Sequence, residues 1–285
     1  MKLLYVLLAA LIFTGCRVTD PDEQEPSFIY IDDVHVITTS EQGSASHNIT
    51  EVWVYANDDI VGIFDVPAVV PVLKAGKTKI SVYGGIKNNG LGSTRIKYPF
   101  YAAFDTSIVL NALSEHHLSA KISYSANADV DNRRNFETTN YFVSGPNNQA
   151  SLDVIYDPVL AVNGNKYCSI ALDANESYLH YIDDLDLDVT AGSISFLEMD
   201  YSCDNSFTCG VYVIQDGNTE KYPVLTLVPT TSITGLFPTW NKIYLDLGGI
   251  AGSYPNADNF RFYVEANAYE STTPTILLDN IKVVK

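Results

Sequence analysis

Residues 47–59 read "HNITEVWVYANDD". Successive side chains of an extended chain point to opposite faces, so Val52, Val54 and Ala56 line one face, Trp53 and Tyr55 line the other, and Asn57-Asp58-Asp59 supply a turn. This is a half-buried strand followed by a reversal. Downstream, "IVGIFDVPAVVPVL" at 60–73 is apolar but interrupted by Pro67 and Pro71. Proline cannot donate to a ladder, so the segment belongs at an edge or a bend. "KAGKTKISVYGG" at 74–85 reads as a tight turn entering a strand, and "IKNNGLGSTRIKYPFY" at 86–101 adds another turn and strand. From Phe28 onward no helical period is sustained.

Between 125 and 140 the composition changes to "SANADVDNRRNFETTN", rich in Asn and Asp and poor in large apolar residues, which places a domain boundary there. Beyond it come the strand candidates "ASLDVIY", "YCSIALD", "HYIDDLDLDV", "SISFLEMDYSC", "TCGVYVIQD", "PVLTLV", "NKIYLDLGG", "FRFYVEANA" and "TILLDNIKVV". Many short strands without a long helix predict a sandwich or barrel.

Two resemblances sharpen this. The stretch Val52 to Gly85, with its strand, polar turn and closing "AGKTKISV" hairpin, resembles the small immunoglobulin-like or carboxypeptidase-regulatory-like β-domains of bacterial surface proteins. "TWNKIYLDL" with "NFRFYVEANAYESTTPTILLDNIKVVK", including Asp279-Asn280-Ile281, resembles the last strands of jelly-roll modules in bacterial carbohydrate-binding and galactose-binding-like domains. Together they imply an all-β chain of two β-sandwiches in series, immunoglobulin-like at 28–130 and jelly roll at 140–285, with 131–139 as linker.

Ahead of these, Lys2, the apolar run Leu3 to Phe13 and Thr14-Gly15 read as a secretory signal at 1–15. Spanning a bilayer takes ~20 apolar residues, and this run is too short. Phe13-Thr14-Gly15-Cys16 resembles the bacterial lipobox, which implies a covalent lipid on Cys16. Residues 16–27 then form an acidic, proline-bearing tether that lacks the apolar surface to fold. The acids after Cys16 resemble the export signal of Bacteroidota-type surface lipoproteins, which implies an outer-membrane protein facing the cell exterior; an ordinary polar spacer facing the periplasm is the competing reading.

The formal net charge of −17 opposes binding to nucleic acid. Cys203 and Cys209 flank the turn formers Asp204-Asn205-Ser206, and in an oxidising setting they are expected to form a disulfide; Cys168 alternates with apolar residues as a buried thiol. No CxxC pair or nearby histidine makes the cysteines a zinc site. Asp184, Asp186 and Asp188 fall on one face of a strand, the sole calcium candidate, but carboxylates ~6.5–7 Å apart at the backbone chelate poorly by themselves, and a solvated acidic stripe is the competing reading. His116 and His117 point to opposite faces and suit packing better than a shared metal. No Gly-x-Ser-x-Gly motif accompanies the histidines, and a glycosidase acid pair has only the abundance of acids behind it.

Aromatic faces stack on sugars and anchor protein interfaces. Trp53, Tyr55, Tyr98, Tyr101 and Trp240 are the candidates for such contacts. The expectation is therefore a non-enzymatic, lipid-anchored accessory subunit of an outer-membrane complex such as β-barrel assembly or secretion machinery. The alternative is a surface lipoprotein that binds polysaccharide through its jelly roll. Neither needs a cofactor beyond the lipid.

Overall fold

The structure is a computed structural model that describes residues 24–172, 177–230, 237–268 and 273–285. In chain order the first strands are β1 (Ser27–Ile37), β2 (Glu51–Ala56), β3 (Asp59–Asp65), β4 (Ala68–Val72), β5 (Gly76–Lys87), β6 (Arg95–Lys97), β7 (Phe104–Leu110) and β8 (Glu115–Ser123). They form a sandwich of two sheets, ordered β4-β1-β8 and β3-β2-β5-β6, with β7 also paired to β5. β1 and β8 run parallel; the other pairs are antiparallel. The expected alternation in β2 holds, with Val52, Val54 and Ala56 fully buried. The turn after it places Asn57 and Asp58 at positive φ, the geometry of a two-residue hairpin loop. Proline-bearing β4 is an edge strand.

The remaining strands are β9 (Val130–Arg134), β10 (Phe142–Ser144), β11 (Ser151–Tyr156), β12 (Lys166–Ala171), β13 (Tyr178–Asp186), β14 (Phe196–Cys203), β15 (Phe207–Gln215), β16 (Asn218–Leu227), β17 (Asn241–Asp246), β18 (Asn259–Asn267) and β19 (Thr275–Val284), with one short α-helix among the described residues, α1 (Gly248–Ser253). Two antiparallel sheets, ordered β10-β13-β18-β15-β16 and β11-β12-β19-β14-β17, face each other across an apolar core that includes Phe262, Leu197, Met199 and Leu278. The chain is thus all-β, as expected, and each strand candidate beyond residue 140 overlaps an observed strand.

The 131–139 segment, expected as a linker, carries most of β9, which pairs with β19 through Ile281↔Arg134 and Val284↔Val130. β12 pairs with the first half of β19, up to Leu278, and β9 takes over the same side from Ile281. Between them lies Asn280 at φ 47°, so Asp279-Asn280-Ile281 marks a change of partner inside one strand. Asn and Asp tolerate that left-handed conformation better than other side chains. Arg134 is buried and reaches Asp183, Asp131 at 2.8 Å and the carbonyl of Leu185 at 3.2 Å. A polar composition here reflects a paid-up ion cluster under a strand instead of a solvated hinge.

The expected disulfide is not found: Cys203 and Cys209 are both buried thiols. Asp204-Asn205-Ser206 does not close a hairpin but carries the chain from one sheet to the other, since β14 pairs with β17 and β19 while β15 pairs with β16 and β18. Burial raises the pKa of the Cys209 thiol, and that of buried Cys168 likewise.

Candidate functional site

The two sheets of the C-terminal sandwich each send one face inward, and their outer faces have opposite fates. On the sheet containing β14, β17 and β19, cross-strand register aligns Glu198 with Tyr244 and Lys282, and Asp200 with Lys242 and Asp279. The N-terminal sandwich covers this face. Glu198 accepts hydrogen bonds from Tyr98 Oη at 2.8 Å and Tyr124 Oη at 2.9 Å and pairs with Lys242 at 3.1 Å. Ser46 donates to Asp200 at 2.7 Å, Lys282 donates to the Ser44 carbonyl at 2.5 Å, and the Asn48 amide donates to Tyr244 Oη at 3.1 Å. The N-terminal core continues into Phe196, Tyr244 and Val284. Burial, the largest influence on Glu198, would raise its pKa, but Lys242, Lys282 and the two phenols outweigh it and hold the carboxyl below its ordinary value. Burial and neighbouring Asp200 push Asp279 up to about 8, against three backbone N–H donors, and burial beside Lys242 pulls Lys282 down to about 8.

The outer face of the other sheet is left open by the N-terminal sandwich. Leu179 and Tyr181 of β13, Phe260, Phe262 and Val264 of β18, and Cys209, Val211 and Val213 of β15 point into the core. Their alternating neighbours therefore face outward. Register sets His180 opposite Glu265, Ile182 opposite Tyr263, and Tyr212 opposite both Arg261 and Lys221. Tyr263 also lies opposite Gly210, where a Cβ would come within 2.4 Å of its ring, so the glycine makes room for the ring.

The result is an aromatic cluster centred on His180. The His180 ring centroid is 6.1 Å from Tyr178, 5.9 Å from Tyr212 and 5.8 Å from Tyr263. Tyr178 Oη donates to Glu265 Oε2 at 3.1 Å, and Lys221 pairs with the same oxygen while sitting 4.8 Å from the Tyr263 centroid. His180 Nε2 lies 3.1 Å from Tyr212 Oη, and Nδ1 lies 3.2 Å from the Pro146 carbonyl. Tyr178 and Tyr212 are half-buried, whereas Tyr263 is fully buried and its hydroxyl has no hydrogen-bond partner among the described residues. Burial and then the charge of Glu265 push Tyr178 up to about 12, and the same two causes raise Tyr212 and Tyr263. Burial lowers the pKa of His180, with Lys221 adding to that, while the Pro146 carbonyl and Glu265 oppose it.

None of the five aromatics singled out from the sequence lies on this face. Trp53 and Tyr55 lie on the outer face of the N-terminal sheet, where Tyr55 meets Tyr83 edge-on and Lys97 stands 4.3 Å over Tyr83. Tyr98 and Tyr101 are buried between the sandwiches. Trp240 donates to the Leu160 carbonyl at 2.7 Å and borders a cleft of about 520 Å³ whose polar groups Ser46, Asp200 and Lys242 are already bonded to one another. Asp184 and Asp186 share Arg261 at 3.1 and 2.9 Å, and Asp188 pairs with Lys285, so basic side chains stand where a cation would. No group of three metal-ligating side chains occurs among the described residues. His117 pairs with Asp32 at 2.9 Å, and His116 bonds Ser114 at 3.0 Å. Cys16 lies outside the described residues, and no described helix is long and apolar enough to cross a membrane. What sequence reading missed was Tyr178, Tyr212 and Tyr263, whose signal was an aromatic at the alternate position of each buried strand, with Gly210 interrupting one of them.

No family model matches the sequence, and no curated protein matches it. Among solved structures, the chain is similar to a carbohydrate-binding module of the β-sandwich superfamily described for promiscuous specificity, at 15% identity and TM-score 0.40 over 92% of this chain and 98% of that one. It is similar to the family 11 carbohydrate-binding module of the cellulosomal cellulase Lic26A-Cel5E of Clostridium thermocellum, at 12% identity and TM-score 0.37 over 54% of this chain and 94% of that one. The CBM22-1–GH10 modules of xylanase 10B from Clostridium thermocellum, complexed with xylohexaose, match at 13% identity and TM-score 0.37 over 55% of this chain. This chain spans only 28% of the length of that protein. These likenesses are in the course of the strands, and no ligand is carried over from them.

Proposed function

We propose that this protein binds carbohydrate, without catalysis, on the open face formed by β13, β18, β15 and β16. The observation that carries the reading is the pair Tyr178 and Tyr212, half-buried on an exterior sheet face around the Glu265–Lys221 pair and packed against the buried rings of His180 and Tyr263. Ring faces supply apolar contact for the C–H face of a sugar, and the phenols and carboxylate supply hydrogen bonds at the edges. A sheet holds both kinds of group on fixed backbone, which lowers the entropic cost of binding. With a lipid on Cys16, the module would work at the cell surface as a tethered polysaccharide binder.

Affinity electrophoresis against neutral and acidic polysaccharides tests the reading. Retardation by at least one polymer is expected, abolished in Tyr178→Ala combined with Tyr212→Ala and kept in Trp53→Ala. No retardation by any polymer, or equal loss in Trp53→Ala, would overturn it.

A specific observation also favours the partner-binding reading. The outer face of β2, β3 and β5 groups Trp53, Tyr55 and Tyr83 with Ile60 and Ile63, whose side chains are about half exposed. Such a face, at the edge strand β3, suits docking onto a membrane-protein complex. Copurification of a β-barrel protein that is lost in Ile63→Asp would support it.

A further inference from the structure

The open face also has a polarity, and it follows from one imidazole. A carbonyl oxygen only accepts hydrogen bonds, so the contact between Pro146 O and His180 Nδ1 at 3.2 Å puts the proton of the neutral ring on Nδ1. Nε2 then carries the lone pair. Tyr212 Oη, 3.1 Å away, must donate to it. The one hydroxyl proton of Tyr212 is thereby turned inward, and only lone pairs remain to meet a ligand. Tyr178 is committed in the same way, since its proton goes to Glu265 Oε2 at 3.1 Å.

The basic groups of the face are engaged as well. Lys221 is held by Glu265, and Arg261 by both Asp184 and Asp186. A ligand therefore meets phenol and carboxylate lone pairs beside cations that are already neutralised, and a slight excess of negative charge, on a chain whose formal net charge is −17. Sugar hydroxyls can donate to such acceptors, whereas a carboxylate or sulfate offers only further lone pairs and negative charge.

We infer that this face, on the carbohydrate-binding reading above, selects uncharged, hydroxyl-rich saccharides over uronate-bearing or sulfated ones, and that the Pro146–His180–Tyr212 relay sets the selection. Tyr212 is the specificity-determining contact and His180 is its positioning residue. The relay also makes selection depend on pH. Once His180 is protonated, both ring nitrogens donate, Nε2–H points at Tyr212 Oη, and the Tyr212 proton turns outward as a donor. The groups facing His180 are Tyr178 on its own strand, Glu265 and Tyr263 on β18, Tyr212 on β15, Lys221 on β16, and Pro146 with Asn148 on the preceding loop. Among these only Glu265 and Lys221 carry charge at neutral pH, and they neutralise each other, so the ring proton is the variable.

Two measurements on the intact protein test this. Nitrogen-15 NMR of the imidazole without ligand is expected to show the Nδ1–H tautomer at pH 7.5; the Nε2–H tautomer would overturn the relay whatever the protein binds. Titrations with pullulan, laminarin and hydroxyethylcellulose, each beside its carboxymethyl derivative, read the selection. The neutral member of whichever pair binds is expected to bind about tenfold more tightly at pH 7.5, a ratio that narrows by about half or more once the same NMR series shows His180 protonated, and Tyr212→Phe should cost the neutral polymer about fivefold and abolish the pH dependence. Equal affinity for both members at pH 7.5 would overturn the inference while leaving carbohydrate binding intact. Failure of every polymer to bind would overturn the carbohydrate reading and the ligand class with it, and the tautomer would still report on the relay separately.

Discussion

The two outer faces of the C-terminal sandwich start from similar material. Each sets ionisable and tyrosine side chains at the alternate positions of buried strands. On the covered face Glu198, Asp200, Lys242 and Lys282 find partners among Tyr98, Tyr124, Ser44 and Ser46 of the N-terminal sandwich. On the open face Tyr178 and Tyr212 stay half-buried, packed near a Tyr263 ring that is itself fully buried. A face sealed by protein must pair its polar groups within the protein, because an orphaned buried charge costs far more than a paired one gains. A face kept for a ligand can leave the lone pairs of half-buried phenols to be filled from outside.

The largest test of this contrast is Glu198→Ala, which strands Lys242 and Lys282 beside each other. It is expected to cost about 3–5 kcal/mol in urea denaturation, with sugar affinity of the remaining folded protein unchanged. A loss below about 1 kcal/mol would remove the distinction between the faces. The next is pH. Because the folded pKa of Asp279 is raised, its contribution is present below the unfolded value and lost as pH rises towards about 8. Lys282, lowered to about 8, works the other way, and stability should recover above that pH until the raised phenols Tyr98 and Tyr101 begin to titrate in the unfolded chain. A stability minimum near pH 8 is therefore expected, with an acid limb approaching ~1.4 kcal/mol per pH unit that disappears in Asp279→Asn. A monotonic profile would break the account of the covered face.

On the open face, Gly210→Ala should push the Tyr263 ring aside, at about 1–3 kcal/mol in stability, and weaken sugar binding with it. Crystals of the variant with the ring unmoved would sink that reading. Tyr178→Ala should be the mildest to the fold and cost roughly tenfold in sugar affinity by calorimetry. If it destabilises as much as Glu198→Ala, the two faces do the same job.

Alternation made the strands legible: the stripe Val52, Val54, Ala56 and the strands beyond residue 140 other than the three-residue β10 follow from period-two hydrophobicity and turn residues. Pairing was less legible. Nothing local in "CDNSFTC" says that the chain changes sheets between Cys203 and Cys209, and the polar run at 125–140 resembles a linker because the partners of Arg134 lie some 50 residues away at Asp183 and Leu185. The site was hidden for the same reason. Tyr178, Tyr212 and Tyr263 sit on separate strands that only sheet order brings together, whereas Tyr98 and Tyr101, conspicuous in the sequence, are covered by a face that no local pattern announces.

The pairing of β9 with β19 has a mechanical meaning. Asp129 and Lys285 exchange backbone hydrogen bonds at 2.8 and 3.0 Å, just beyond the ladder that joins Val130 to Val284. A pull on the chain that enters the C-terminal sandwich from its N-terminal side therefore loads this antiparallel ladder lengthwise. Its bonds share the tension and must yield together, instead of opening one after another from an end, so the chain connection resists traction as a shear joint.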